Sequence, residues 1–443
     1  MKNITDHYRE LDLASLWHPY TRHSALRDGF PVITRGEGVF LFDSEGNRYV
    51  DAISSWWACN LGHSHPRLVQ AIIRQAGELQ HSILGNLTHP CAAELAYRLV
   101  GLFPHRHRRT LFASDGASAV EAALRIAVQY RHNRGQGGRY RFAAFEDAYH
   151  GDTIGAMAVG YLPSFHGAYR PLLFPVYKVK TPDCPRCPAE ATTGTCSLQC
   201  FSSMERTVKE YANELAAVIV EPLCQGAAGM RMYPANYLRR LGELCRENGV
   251  LLILDEIAMG FGRTGRMFAF EHAGIDPDIV CIGKSLSGGY LPISAAVVKE
   301  EIFETFTDEP DDHTFYHGHT FAGNPIAAAA AIECLNVYGE EKIVEKAARS
   351  GDVLAAHFEA FKGVPGVVNV RCLGMIGAFD LTERQGVAGP ERARGICLRA
   401  LKKGILIRPL GATIYLMPPL ITDEKVMAET VRVLMEMVAE GEQ

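Results

Sequence analysis

Between about residues 65 and 335 the chain alternates two kinds of apolar pattern. Pro66-Arg-Leu-Val-Gln-Ala-Ile-Ile-Arg-Gln and the stretch from Cys91 to Leu102 carry apolar residues at helical spacing. Thr110-Leu-Phe-Ala, Arg141-Phe-Ala-Ala-Phe, Ala216-Ala-Val-Ile-Val, Val250-Leu-Leu-Ile-Leu, Asp278-Ile-Val-Cys-Ile and Ile293-Ser-Ala-Ala-Val-Val are short continuous apolar runs instead. Runs of that length between helices predict strands of a largely parallel sheet covered on both faces, an α/β domain. The flanks read differently. Residues 37–51 predict two short strands around the turn Asp43-Ser-Glu-Gly-Asn. From about residue 340 a long helix is expected, then strand-like Val367-Val-Asn-Val-Arg and Ile405-Leu-Ile-Arg, and a final helix through Met437. These ends are expected to fold together as a smaller lobe, so that 1–64 and 336–443 flank a large domain over 65–335.

The composition supports that division. With 443 residues, 47% of them hydrophobic, the chain is long enough for two lobes around a substantial core. Its 45 basic and 50 acidic residues give a net charge of −5 without a long single-sign block, which argues against nucleic acid as a partner. The densest basic run, His105-Arg-His-Arg-Arg, reads as a solvated loop. Charges run through the first ten residues and no apolar stretch is long enough to span a bilayer; a cytoplasmic protein is expected. Most of the 12 cysteines stand singly in apolar runs, the pattern of reduced thiols.

The candidate chemistry lies at the strand ends, where open α/β sheets keep their ligands. Asp255 closes the run Val250-Leu-Leu-Ile-Leu, and Lys284 follows Ile282-Gly283 at the next strand end. Either residue alone has an ordinary reading, a helix-capping aspartate or a surface lysine. Together they form the pair that pyridoxal 5′-phosphate needs: an amine to condense with its aldehyde and a carboxylate to keep its ring nitrogen protonated. The Gly-rich sequence after Lys284 allows close backbone approach. Upstream, Thr110-Leu-Phe-Ala-Ser-Asp-Gly-Ala-Ser reads as strand, small-residue turn and helix start, which places the N–H groups of Gly116 and Ala117 at a helix N-terminus, a ready anion site.

Four segments carry a resemblance: Ser114-Asp-Gly-Ala-Ser, Asp255-Glu-Ile-Ala-Met-Gly-Phe-Gly-Arg-Thr-Gly, Gly283-Lys284 and His317-Gly-His-Thr-Phe-Ala-Gly-Asn-Pro. Over nearly its whole length the chain resembles the class III pyridoxal-phosphate aminotransferases. The resemblance implies the aspartate aminotransferase-like fold, fold type I of the pyridoxal-phosphate-dependent transferases, with a mostly parallel seven-stranded sheet in the large domain and a smaller α+β domain. It also implies a homodimer with active sites at the subunit interface, Lys284 and Asp255 as catalytic residues, Tyr149 stacked on the cofactor ring, and Gly116, Ala117, His319 and Thr320 around its phosphate, Thr320 serving the other subunit's site. Where relatives often carry a serine this chain has Ala117, so that contact passes to the backbone or to Ser118.

Trp17-His-Pro-Tyr-Thr, Ser54-Ser-Trp-Trp and Ile407-Arg-Pro-Leu-Gly with Ile414-Tyr-Leu-Met-Pro-Pro resemble the branch of that family that serves biotin synthesis by aminating 8-amino-7-oxononanoate. For this branch Tyr20, Trp56, Trp57, Tyr149 and Gly318 are expected at the substrate, with Arg408 gripping its carboxylate; a guanidinium binds a carboxylate by two parallel bonds. Arg408 in a structural ion pair, and the tryptophans as ordinary core, are the competing readings. If the Trp56-Trp57 backbone is extended, the two rings face opposite sides. The donor is open between S-adenosylmethionine, which the doubled tryptophan favours, and lysine, towards which 288–293 and 317–320 lean. Another class III ω-amino-acid aminotransferase is the alternative.

One insertion, over about 181–202, stands apart. Cys184, Cys187, Cys196 and Cys200 form a C-x2-C-x8-C-x3-C array that either closes a zinc site or is a peripheral loop of thiols; the catalytic chemistry needs no metal, and none is assigned.

Overall fold

The computed structural model describes residues 4–27, 29–184, 196–307 and 313–439. Seven strands form the central sheet: β1 (Arg108–Ala113), β2 (Arg141–Phe145), β3 (Tyr177–Val179), β4 (Leu215–Val220), β5 (Leu251–Asp255), β6 (Ile279–Ile282) and β7 (Ser294–Lys299). Their spatial order is β1-β7-β6-β5-β4-β2-β3. Neighbours from β6 to β3 are parallel, and β7 lies antiparallel between β6 and β1. The three-residue edge strand β3 escaped the sequence pattern because it is too short to show a period.

Every residue of β4, β5 and β6 is buried. Alternate side chains go to opposite faces: Val218, Val220, Leu252 and Leu254 join one core, while Ala217, Ile219, Leu251 and Ile253 join the other. Both faces are covered, so the strands read as continuous rather than alternating apolar runs. Each such side chain contributes roughly 1.5–3 kcal/mol on leaving water, which fixes the sheet and hence the position of its strand ends. The helix Gly116–Asn133 packs on the second face through Ala119, Ala122, Ala123 and Ala127, small residues that bring it close to the sheet.

The flanking segments share a sheet. Ile33–Glu37, Phe40–Asp43 and Arg48–Asp51 form an antiparallel meander, one strand more than expected, and Ile405–Leu406 pairs parallel with Arg48–Asp51. The expected turn is real: Asp43 accepts the N–H groups of Glu45 and Asn47 through one oxygen. The long helix expected from about residue 340 is Ile343–Phe358, separated from Pro325–Glu340 by a break at Lys342, whose φ is +52°. The basic run is not simply a solvated loop. Arg108 is buried as the first residue of β1 and pairs with Asp276, while Arg109 pairs with Glu300 at 2.7 Å. Cys187 lies outside the described residues. Among the described residues no helix is long and apolar enough to cross a membrane.

Candidate active site

At the carboxyl edge of the sheet β4, β5 and β6 deliver Glu221, Asp255 and Lys284 to one cavity of about 490 Å³. Trp57, Gly116, Ala117, Tyr149 and Asp152 are among the other residues that line it. Asp255 is buried and held at both oxygens: His150 Nδ1–H donates to Oδ2 at 2.7 Å and the Ile257 N–H to Oδ1 at 3.1 Å. Lys284 Nζ lies 5.3 Å from the ring centre of Trp57. Burial pulls its pKa down, against Asp255 and Glu221, which raise it. That enlarges the share of neutral amine, the form that can attack a carbonyl or accept a proton.

Glu221 was not singled out in the sequence, although it ends β4 as Asp255 ends β5. It accepts the N–H groups of Gly226 at 2.9 Å and Tyr149 at 3.2 Å. Burial first, and Asp255 next, push its pKa up to about 8. That shift favours its protonated form, which adds no second negative charge beside Asp255. His150 was missed as well; its signal was adjacency to Tyr149.

Pyridoxal 5′-phosphate is not present in the structure, but the residues fit it. Lys284 offers the amine and the anchored Asp255 the carboxylate. The N–H groups of Gly116 and Ala117 open the helix Gly116–Asn133 and so have no partner within it. The Ser118 hydroxyl is engaged by Asp115 at 3.0 Å, which leaves the anion site to the backbone. Gly151 lets the walls approach closely: at φ +121° its missing Cβ would lie 2.3 Å from that of Ala117. His150 Nε2 is buried without a hydrogen-bond partner among the described residues, a polar atom within the same wall.

A second group of side chains adjoins the cavity through Tyr149 and Asp152. Tyr20 Oη donates to Asp152 Oδ1 at 2.5 Å and Tyr149 Oη to Oδ2 at 3.1 Å. Burial first, and the bond to Asp152 next, push the Tyr20 phenol up to about 12; burial drives that of Tyr149 higher still. His166, also unforeseen, fixes Asp152 from below. Its Nδ1 accepts the Leu162 N–H at 3.1 Å, so in the neutral ring the proton sits on Nε2, 3.4 Å from Asp152 Oδ1. Trp56, 41% exposed, meets Tyr20 edge to face at 5.8 Å and carries the Arg408 guanidinium 4.7 Å above its ring. Arg408 donates to the Tyr20 carbonyl at 3.2 Å. It forms no ion pair among the described residues.

Trp57 is 4% exposed and donates from its indole to Tyr415 Oη at 3.2 Å. The Trp-Trp backbone is not extended. Ser54, Ser55, Trp56 and Trp57 all have positive φ, between 43° and 71°. Left-handed conformation costs such residues roughly 1–2 kcal/mol each, and Lys284 and Tyr20 share it at 41° and 51°. Gly318, His319 and Thr320 do not line this chain's own cavity. His319 Nδ1 lies 3.4 Å from Ser114 Oγ, next to the helix start, while Thr320 is exposed.

Residues 24–438 match the family model described as aminotransferase class-III. An adenosylmethionine-8-amino-7-oxononanoate aminotransferase of Nitratidesulfovibrio vulgaris is 40% identical over 440 residues, covering 97% of this chain and 81% of that one. The protein of the same name from Geobacter sulfurreducens is 37% identical, with 95% of each covered. The crystal structure of the protein of that name from Methanocaldococcus jannaschii superimposes with a TM-score of 0.93 at 35% identity, over 99% of this chain and 100% of that one. An ω transaminase structure from Pseudomonas jessenii gives 0.91 at 29% identity, over 98% of both. With its sheet order and strand-end lysine and aspartate, the chain belongs to the class III aminotransferase family.

Proposed function

We propose that the chain aminates 8-amino-7-oxononanoate to 7,8-diaminononanoate, the aminotransfer step of biotin synthesis, with pyridoxal 5′-phosphate as cofactor and S-adenosylmethionine as donor. Arg408 carries this reading: an arginine without an ion pair among the described residues, packed on an aromatic wall, suits an acid with a long apolar chain. The relatives' names add the same substrate.

Bound cofactor supplies a ring that withdraws electrons from the substrate carbon bearing the transferred nitrogen. Asp255, oriented by His150, offers a fixed acceptor for a protonated ring nitrogen. Lys284 Nζ takes the proton from that carbon and returns it elsewhere, a role its lowered pKa favours. Tyr149 covers the ring. Gly116 and Ala117 hold the phosphate by backbone N–H groups, with His319 beside Ser114 at the helix start and Thr320 of a neighbouring copy completing it in a homodimer; the place of Thr320 outside the chain's own cavity supports that assembly. Trp56, Trp57 and Tyr20 line the chain of the substrate, and their faces attract a sulfonium by roughly 0.5–2 kcal/mol.

Single-turnover spectra with each donor alone test the reading. Conversion of the loaded enzyme by S-adenosylmethionine, followed by recovery on adding 8-amino-7-oxononanoate, is expected. Conversion by lysine and not S-adenosylmethionine would change the donor alone. The likeness to the ω transaminase supports a second reading; conversion by a short ω-amino acid, with no recovery on adding 8-amino-7-oxononanoate, would establish it.

A further inference from the structure

The left-handed turn Ser54–Trp57 contains no glycine, and its sequence does not favour it. Internal bonds close it, from the Trp57 N–H to the Ile53 carbonyl and from the Ala58 N–H to the Ser54 carbonyl, both at 2.9 Å. Such a conformation persists only where the surroundings over-determine it. Ser54 is held from the far end of the chain: its Oγ donates to the Met417 carbonyl at 2.8 Å and accepts from Arg263 Nη2 at 3.3 Å. Ser55 is held from the near side by Asp51.

Asp51 is fully buried, at the end of the strand Arg48–Asp51. One oxygen accepts Ser55 Oγ–H at 2.7 Å and His63 Nε2–H at 2.9 Å; the other accepts the Ile53 N–H at 3.4 Å. His63 cannot retreat on one side, because Gly36 packs against it so closely that a Cβ there would lie 2.7 Å from that of His63. Burial alone lowers the His63 pKa, but Asp51 and Cys59 outweigh it and push it up to about 9. The carboxylate thus has a charged partner behind it.

We propose that Asp51 is a positioning residue of the substrate site: by holding Ser55 and the Ile53 N–H it locks the left-handed turn that sets Trp56 against Tyr20 and Arg408, and Trp57 over Lys284. An extended backbone sends adjacent side chains to opposite sides, so the turn is what lets both rings serve one site. The proposal rests on the reading of these rings as the substrate wall.

The test compares Asp51→Asn, Ser55→Gly and the double variant with the wild-type enzyme. Asp51→Asn is expected to raise KM for 8-amino-7-oxononanoate about tenfold or more while kcat stays within about twofold, the pattern of lost substrate binding. The near-UV circular dichroism of the cofactor-free protein is expected to weaken, because the third tryptophan, Trp17, is 83% exposed and contributes little fixed signal. Glycine adopts φ +43° without a Cβ penalty, so the double variant should return KM to within about threefold of wild type. A structural defect elsewhere would not be rescued in this way. Wild-type KM and dichroism in Asp51→Asn, or a double variant no better than Asp51→Asn, would overturn the proposal. If Asp51→Asn does not accumulate folded, Ser55→Ala, which removes one bond to Asp51, serves instead; a raised KM with weakened dichroism supports the proposal and no change in either overturns it. A wild-type enzyme that does not turn over this substrate would defeat the functional reading, while the dichroism arm would still report on the turn.

Discussion

On the side of the cavity formed by Glu221 and Asp255, regular strands run up to the functional residues, and every strand residue is buried. On the side formed by Tyr20, Trp56 and Trp57, the residues come from irregular segments, and all three hold positive φ. The first side is stabilised by its own core packing. The second is strained and depends on hydrogen bonds to Asp51, Met417 and Arg263. On the proposed reading, chemistry common to many substrates is mounted on the rigid sheet, and recognition of one substrate on segments that a few substitutions can reshape.

The largest effect is expected on the sheet side. Lys284→Ala should lower turnover by at least about a thousandfold, since it removes both the covalent anchor and the proton carrier. Steady-state rates and loss of borohydride-fixed cofactor on the chain would check it, with Asp255 and the backbone anion site still retaining cofactor.

Next comes the recognition side. Arg408→Leu should cost about 2–5 kcal/mol in the oxo-acid half-reaction, the range for losing a desolvated charge partner, and far less with the donor. Equal losses with a substrate analogue lacking the carboxylate would assign Arg408 to structure and erase the contrast between the two walls.

A pH experiment then sharpens the sheet side. Because the Glu221 pKa is raised in the folded state, its contribution to stability is fully present below the ordinary glutamate range and is lost as pH rises through about 8. Glu221→Gln, which keeps the shape and stays neutral, should flatten the fall in the cofactor-free protein's melting temperature between about pH 5 and 8. An unchanged slope would mean that Glu221 is ionised there.

The smallest effect is a control for strain. Lys342 also holds positive φ, in the exposed break between two helices. Lys342→Gly should raise stability by up to about 1 kcal/mol in thermal or denaturant unfolding and leave turnover unchanged. A loss of activity would show that left-handed strain outside the site also matters.

Much of the sheet side was legible in advance. Continuous apolar runs marked six of the seven strands, and their ends marked Asp255 and Lys284, because burial on both faces writes itself into local composition. The tryptophan turn was legible as a motif but not as a conformation: nothing in Ser-Ser-Trp-Trp announces a left-handed turn. Glu221, His150 and His166 were passed over because a buried ionisable residue looks the same in sequence as an exposed one.

The sequence by itself determined the α/β pattern, the strand-end lysine and aspartate, and the family they resemble. These follow from periods of a few residues and from motifs contiguous in the chain. Only the tertiary structure decided the raised pKa of Glu221, the tautomer of His166 and the backbone of Ser54–Trp57. Each depends on partners that no local pattern specifies: Ser54 is held by a carbonyl 363 residues away, and the Glu221 pKa rises because folding buries it beside Asp255.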